Sequence, residues 1–461
     1  MFKKLLTLFL LCATSALHAA NYLTFTAEED GSSFGIINTR SNNPNIQYSL
    51  DKGKKWMTLD TNTVVTLAKK GDMALLKGNN PDGFSHGISK YTSFTMTGSI
   101  AASGSVMSLI DNKGDSKVIP CRGCFCDLFA KCTSLVKAPE LPATQLTADC
   151  YNSMFVQCAN LIKAPELPAT ELSMGCYWVM FASCSNLIQA PELPADSMTS
   201  GCYYAMFSGC TSLTQAPKLP ATKLAESCYT YMFSGCTSLT KAPELPATTL
   251  TRSCYYEMFQ NCTSLTQAPA LSITSHDEEL SCARMFANCT SLTEVPDIYA
   301  EEIGSDSCEE MFIGCTSLVK APSLYCTNIS YRCYRRMFKG CTSLTQAPEL
   351  PATELYADCY TEMFDSCISL KQAPDLPATE IAEFCYDGMF KNCINLCSIK
   401  VCFESWYRNR QTLLDCFDHS FTKGWLSNVA YSGTFFCPKE LPEEFEENRI
   451  PEGWKVEKVK K

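Results

Sequence analysis

Histidine is scarce in this chain: four residues in 461, of which only His86, His276 and His419 lie beyond position 18. The scarcity removes the usual base from a serine-hydrolase reading of Gly31-Ser-Ser33-Phe-Gly35, whose elbow also requires a strand-to-helix turn, and no helix follows here. An ordinary hairpin strand is the expectation for Ser33. Positive charge is in deficit, with 38 Lys and Arg against 48 Asp and Glu and a net charge of −10, which argues against nucleic acid as the main partner. The one long apolar run is Leu5 to Leu11, behind Lys3 and Lys4 and ahead of Leu17-His18-Ala19. It is short for a membrane span and reads as an export signal over residues 1–19, so the expectation is an exported chain, extracellular or on the outer cell surface, with no transmembrane segment after signal removal. Asn79-Asn80-Pro-Asp82 lacks the closing acidic ligand of a calcium loop and reads as a polar turn.

Apolar residues make up 46% of the chain, far too many for a disordered one. Their arrangement is periodic. A 26-residue unit, clearest as Cys228-Tyr-Thr-Tyr-Met-Phe-Ser-Gly-Cys236-Thr-Ser-Leu-Thr-Lys-Ala-Pro-Glu-Leu-Pro-Ala-Thr-Thr-Leu250, recurs eleven times, its first cysteines falling between Cys124 and Cys385. Such periods mark stacked units, none of which buries its apolar face alone. The Cys-x3-Met-Phe-x2-Cys segment places its cysteines and methionine at i, i+4 and i+8, one face of a short helix. The Leu and Ala of Thr-Ser-Leu-Thr-x-Ala-Pro point inward as parts of a short strand ended by the proline. The expected fold is an α/β solenoid with a short strand, a turn and a short helix per rung. Residues 20–118 lack the period and carry short alternating runs between turn sequences, as expected for a small β-sandwich-like domain. The division is therefore 1–19 signal peptide, 20–118 β-rich domain, 119–402 repeats and 403–461 a C-terminal cap and tail.

The repeat resembles the BspA-like leucine-rich repeats of bacterial surface proteins, through Ser-Leu-Thr-x-Ala-Pro-x-Leu-Pro together with Met-Phe-x2-Cys. That family usually has Ala-Phe-x2-Cys at the corresponding place, an aliphatic residue where the first cysteine stands, and slightly shorter units. Tyr48-Ser-Leu-Asp-Lys-Gly-Lys-Lys-Trp56 and Ile450-Pro-Glu-Gly-Trp454 resemble segments flanking such repeats in proteins of gut anaerobes. The resemblance implies surface adhesion or ligand capture without catalysis, and no cofactor.

Thirty cysteines invite a disulfide framework. Eight helical residues would hold the two cysteines of a unit about 12 Å apart, beyond disulfide reach, and buried free thiols are the favoured reading, with disulfides as the alternative. Cys121-Arg-Gly-Cys124 with Cys126 has the spacing of half a zinc site, but its would-be complement, Cys397 and Cys402, lies at the other end of the array; thioredoxin-like use would need a βαβ context that is absent. No metal site is expected.

Binding residues on a solenoid sit in exposed columns, one per rung. The second position after the repeat leucine forms such a column: Lys137, Lys163, Gln189, Gln215, Lys241, Gln267, Lys320 and Gln346, with Glu294 and Gln372 in the same place. An acidic-leaning column, Glu140, Glu166, Glu192, Lys218, Glu244 and later Glu349 and Asp375, runs beside it. Together they could grip an extracellular protein or glycan, against the plainer reading of a solvated face with complementary charges. A structural spacer that displays residues 20–118 is the alternative function. Tyrosines after the first cysteine, from Tyr151 to Tyr386, are expected to pack in the core. In units seven and eight that column lapses to Ala283 and Glu309.

Overall fold

A computed structural model describes residues 20–40, 43–85, 87, 89–271, 278–406 and 421–459. Residues 1–19, expected to be an export signal, and His86, His276 and His419 lie outside the described residues.

The first part is two facing β-sheets. Strands β1 (Leu23–Ala27), β2 (Ser32–Asn38), β3 (Ile46–Ser49), β4 (Met57–Thr58), β5 (Val65–Leu67), β6 (Met73–Gly78), β7 (Thr92–Thr97) and β8 (Ile100–Ser103) are followed by one turn of helix, α1 (Ser108–Asp111). One sheet has the order β5-β2-β7 and the other runs β4-β3-β6-β1-β8, all antiparallel. Alternation along β1 points Leu23, Phe25 and Ala27 inward, where the Phe25 ring meets Phe34 and Phe94 edge-on at 5.0 Å. Ser33 lies within β2 and pairs with Thr97 across the strands, Oγ to Oγ1 2.7 Å, so it is a strand residue and not a nucleophile elbow. Asn80 is a turn brace, its amide donating to the Asn45 and Leu109 carbonyls.

The second sheet does not stop at the first repeat. β9 (Leu135–Lys137) joins β8 in parallel, Ile100 opposite Leu135 and Ala101 opposite Lys137. Phe94 N donates to the Leu128 carbonyl, and its ring stacks on Phe129 at 5.3 Å. The β-rich part thus covers the open end of the array, where unpaired ladder groups and core would otherwise face water.

Each repeat folds as a string of four-residue turns, and the expected helix is absent: α1 is the sole α-helix among the described residues, and it lies outside the repeats. Every fourth residue has left-handed backbone, for instance Asp149, Ser153 and Gln157 in one rung and Ser253, Glu257 and Asn261 in another, with φ between 52° and 59°. Backbone donors alternate. Asn152, Met154 and Val156 N–H bond locally, to the carbonyls of Asp149, Tyr151 and Ser153, while Tyr151, Ser153 and Phe155 N–H reach the next rung, to the carbonyls of Cys176, Trp178 and Met180. An α-helix would spend every donor within itself and leave nothing to tie one rung to the next. The turn string satisfies both demands, and its period of four keeps Cys150, Met154 and Cys158 on one buried face.

The strand of each rung is equally reduced. Most rungs contribute a single parallel bridge, such as Lys163 to Gln189 or Lys320 to Gln346, because the Ala-Pro proline behind it offers no ladder donor. Among the described residues a two-residue parallel pair also links two repeats further along the unit, β10 (Glu302–Ile303) with β11 (Asn328–Ile329).

Inside the stack, like side chains lie over like. Ten ring pairs along the phenylalanine column from Phe129 to Phe390 sit 5.4–5.7 Å apart and within 10° of parallel. The tyrosines stack likewise, at 5.7–6.1 Å, and are at most 2% exposed, so they belong to the core. In units seven and eight the register differs from the sequence spacing. Tyr255 N donates to the Ser281 carbonyl and Cys282 N to the Ser307 carbonyl, which puts the serines in the cysteine column and Cys282 and Cys308 in the tyrosine column. Ala283 and Glu309 therefore do not stand in for tyrosine. Anchoring the turn string on Met285 and Met311, which stay buried, forces this assignment.

Past the last motif the stack continues. Gly388, Phe390 and Asn392 N–H donate to the carbonyls of Lys423, Trp425 and Ser427, a further rung with no repeat sequence. β12 (Ser398–Lys400), β13 (Thr434–Pro438) and β14 (Lys455–Val459) then form a parallel sheet. Lys455–Val459 is thus a paired strand and not a solvated tail. Trp406, Trp425 and Phe435 close the core over Tyr386.

Candidate functional site

Two opposed surfaces of the stack carry regular side-chain columns. On the bridge side, burial alternates: the repeat leucine is buried, the second residue after it is exposed, and the following alanine turns back toward the core, as with Leu161, Lys163 and Ala164. This local alternation exposes Lys137, Lys163, Gln189, Gln215, Lys241, Gln267, Lys320 and Gln346, along with Glu294 and Gln372. The ladder sets them one per rung, with Lys163 bridged to Gln189, Lys241 to Gln267, and Lys320 to Gln346. All eight expected residues therefore fall in one exposed row.

Beside the row, the two prolines of Ala-Pro-x-Leu-Pro floor shallow grooves. One, of about 650 Å³, lies between Lys137, Pro139, Glu140, Lys163, Pro165 and Glu166; another, of about 550 Å³, lies between Gln346, Pro348, Glu349, Gln372, Pro374 and Asp375. Rigid apolar floors edged by one cationic or amide column and one acidic column offer a ligand both stacking area and charge-assisted hydrogen bonds. Parts of the rim are already paired. Glu140 accepts from the Asn21 amide at 2.7 Å and Gln267 donates to Glu294 at 2.7 Å. Asp375 is bonded to Lys400, and that bond with the carboxylate's charge raises the Lys400 ammonium above its ordinary value. At rungs seven and eight, Tyr299 and Tyr325 replace the second proline, stack at 4.9 Å and stay more than half exposed, a feature the proline-based reading overlooked.

The opposite, turn-side surface carries a column that sequence spacing did not reveal. Glu257, Arg284, Glu310, Arg336 and Glu362 occupy successive left-handed positions and alternate in sign. Arg284 lies 2.9 Å from Glu257 and 2.7 Å from Glu310, and Arg336 lies 3.4 Å from Glu310 and 2.9 Å from Glu362. The signal was present, one residue before each methionine, but reads as unrelated charges until the turn string aligns it. This column spends its charges on itself.

Every described cysteine is a free thiol. From the second unit on, the second cysteine donates to the preceding rung's phenylalanine carbonyl: Cys158 to Phe129 at 3.0 Å, Cys184 to Phe155 at 3.1 Å, Cys367 to Phe338 at 3.1 Å. Burial pushes the thiols up, to about 12 at Cys184 and Cys236, so they are unreactive in the fold. Among the described residues no group of three or more His, Cys, Asp or Glu is placed to hold a metal ion, and no helix is long and apolar enough to cross a membrane.

Stacked rungs with exposed residue columns define a solenoid-like repeat protein. Residues 180–319 match the family model described as BspA type Leucine rich repeat region, in six copies, so these repeats are of the BspA-like leucine-rich type. No curated protein and no solved structure matches the chain. Proteins with such repeats are typically non-catalytic and surface-associated, and repeats of this class suggest protein–protein interaction.

Proposed function

We propose that this is an exported, surface-displayed protein that binds an extracellular protein or glycan along the bridge-side row, with Lys137, Lys163, Gln189, Gln215, Lys241, Gln267, Lys320 and Gln346 as contacts. One observation carries the reading: these residues form a single exposed row beside proline-floored grooves, while the charges of the opposite surface pair with one another. Repetition at a fixed interval suits an extended or repetitive ligand, since each added rung engages another segment without a new contact type.

The test compares the full chain with a variant carrying Lys137→Ala, Lys163→Ala, Lys241→Ala and Lys320→Ala, by binding to extracellular-matrix proteins and a glycan array. The expected result is binding that weakens with salt and falls at least about tenfold in the variant, with thermal unfolding unchanged. Binding that survives all four substitutions would move the site off the row and leave the repeats as a spacer.

A further inference from the structure

Of the two proline-floored grooves, the one at the junction with the β-rich part carries cations. Lys117, Lys137 and Lys163 line it together with Glu140 and Glu166. The groove between Gln346 and Asp375 has amides in the corresponding place, and the cation that reaches its rim, Lys400, is bonded to Asp375. Among the described residues none of the three ammoniums stands in an ion pair, whereas Arg122, further along the segment from Lys117, is 2.8 Å from Asp149. Three cations against two carboxylates give a local positive excess on a chain of net charge −10.

The groove is built by two parts of the molecule. Lys117 precedes the repeats, and its carbonyl accepts from Thr144 N at 2.9 Å and Gln145 N at 3.0 Å, while Val118 bridges Gln145 in parallel. Lys137 is held opposite Ala101 of β8, and Lys163 is bridged to Gln189. On the acidic rim, Glu140 N donates to the Gly104 carbonyl at 2.8 Å and Val106 N to the Glu140 carbonyl at 3.2 Å. The Asn21 amide fixes the carboxylate itself, 2.7 Å from Oε2. Backbone on both rims is thus tied down before any ligand arrives, over a floor of rigid prolines, which lowers the ordering cost of binding. Its volume of about 650 Å³ falls within the range of about 300–1,000 Å³ typical of small-ligand sites.

We propose that this groove takes a uronic-acid glycan, an inference that rests on the bridge-side row being the binding face. The sugar carboxylates meet Lys117, Lys137 and Lys163, the ring hydroxyls donate to Glu140 and Glu166, and the C–H face of the ring lies on the prolines. The two rims make opposite demands, anions on one and hydrogen-bond donors on the other. A uronic acid carries its carboxylate in place of the exocyclic hydroxymethyl group and keeps its ring hydroxyls. A sulfate ester replaces a hydroxyl, so it removes a donor and brings an anion toward the glutamates. An acidic peptide offers the anions without the hydroxyls, and a neutral glycan offers the hydroxyls without the anions.

The experiment titrates the full chain calorimetrically with oligosaccharides of galacturonate, alginate and hyaluronan, and with methyl-esterified oligogalacturonate, dextran sulfate and polyglutamate. At least one uronate is expected to bind, and its methyl ester at least about tenfold more weakly. Lys117→Ala should weaken uronate binding about two- to fivefold, and Lys117→Ala with Lys137→Ala and Lys163→Ala at least about tenfold, with thermal unfolding unchanged. Lys241→Ala with Lys320→Ala should leave it unchanged. Absence of uronate binding, or dextran sulfate or polyglutamate bound as tightly, would overturn the ligand class. A ligand lost in the Lys241 and Lys320 variant but indifferent to Lys117→Ala would overturn the groove and leave the row standing. Binding indifferent to all five lysines would overturn the row as well. The ester comparison on the unsubstituted chain decides the ligand class even where a variant fails to fold.

Discussion

The Cys236 thiol donates to the carbonyl of Phe207, 3.1 Å away and one rung back. That carbonyl already accepts from Cys210 N within its own turn at 3.0 Å, so the thiol fills its second lone pair in a site closed to water. Cysteine suits the place because it is small, apolar and a weak donor at once. Cys236→Ala should cost about 1–2 kcal/mol, through the lost bond and a small void, read as a lower urea midpoint at unchanged slope. An unchanged midpoint would show that the thiol serves as volume alone.

The tyrosine stack contains a polar expense. The hydroxyls of Tyr334, Tyr360 and Tyr386 are buried and have no hydrogen-bond partner among the described residues. Tyr360→Phe removes a desolvated hydroxyl and keeps the rings stacked 6.0 and 6.1 Å from Tyr334 and Tyr386, so it should leave stability unchanged or raise it by up to about 1 kcal/mol. Tyr360→Ala should cost about 3–5 kcal/mol by opening the stack. Calorimetric melting of both variants checks the pair, and a phenylalanine variant as damaged as the alanine one would refute this account.

Val179 occupies a left-handed position, φ +57°, where a β-branched side chain is strained. The same place holds Ser153 one rung earlier. Val179→Asn should therefore stabilise the chain by about 1 kcal/mol, seen as a higher melting temperature. A lower melting temperature would mean that the valine's packing outweighs its strain.

Two carboxylates give opposite pH dependences. Burial raises the Glu362 carboxyl, but hydrogen bonds from Lys339 and Arg336 outweigh it and hold it below 4.5. Its stabilisation is present above that value and is lost as pH falls through the lowered one. Asp387 is pushed up by burial to about 6, against a bond from Lys423 N. The folded state then binds the extra proton, so stability is full below about 3.8 and is lost as pH rises through about 6. Glu362→Gln should destabilise at pH 7, and Asp387→Asn should stabilise there, each on the order of 1 kcal/mol given their partial exposure. In urea melts the Asp387 difference should vanish near pH 3, and the Glu362 difference should shrink as pH falls below 4.5; equal signs at pH 7 would contradict the assignment.

The sequence by itself determined that eleven units stack, which residues face the core, and that Lys137 through Gln346 share one exposed row. Those features depend only on identity repeated at a fixed interval, and any repeating rung must place equivalent residues alike. Gly, Asn and Ser before the second cysteine, as at Gly209, Asn261 and Ser366, are a sign of left-handed turns that the i, i+4, i+8 reading of the unit did not use. Only the tertiary structure decided between helix and turn string, because the deciding term is the hydrogen bond from one rung to the next, and no single unit contains it. The same cross-rung bonds set Ser281 and Ser307 in the cysteine column and made residues 421–428 a rung without a motif.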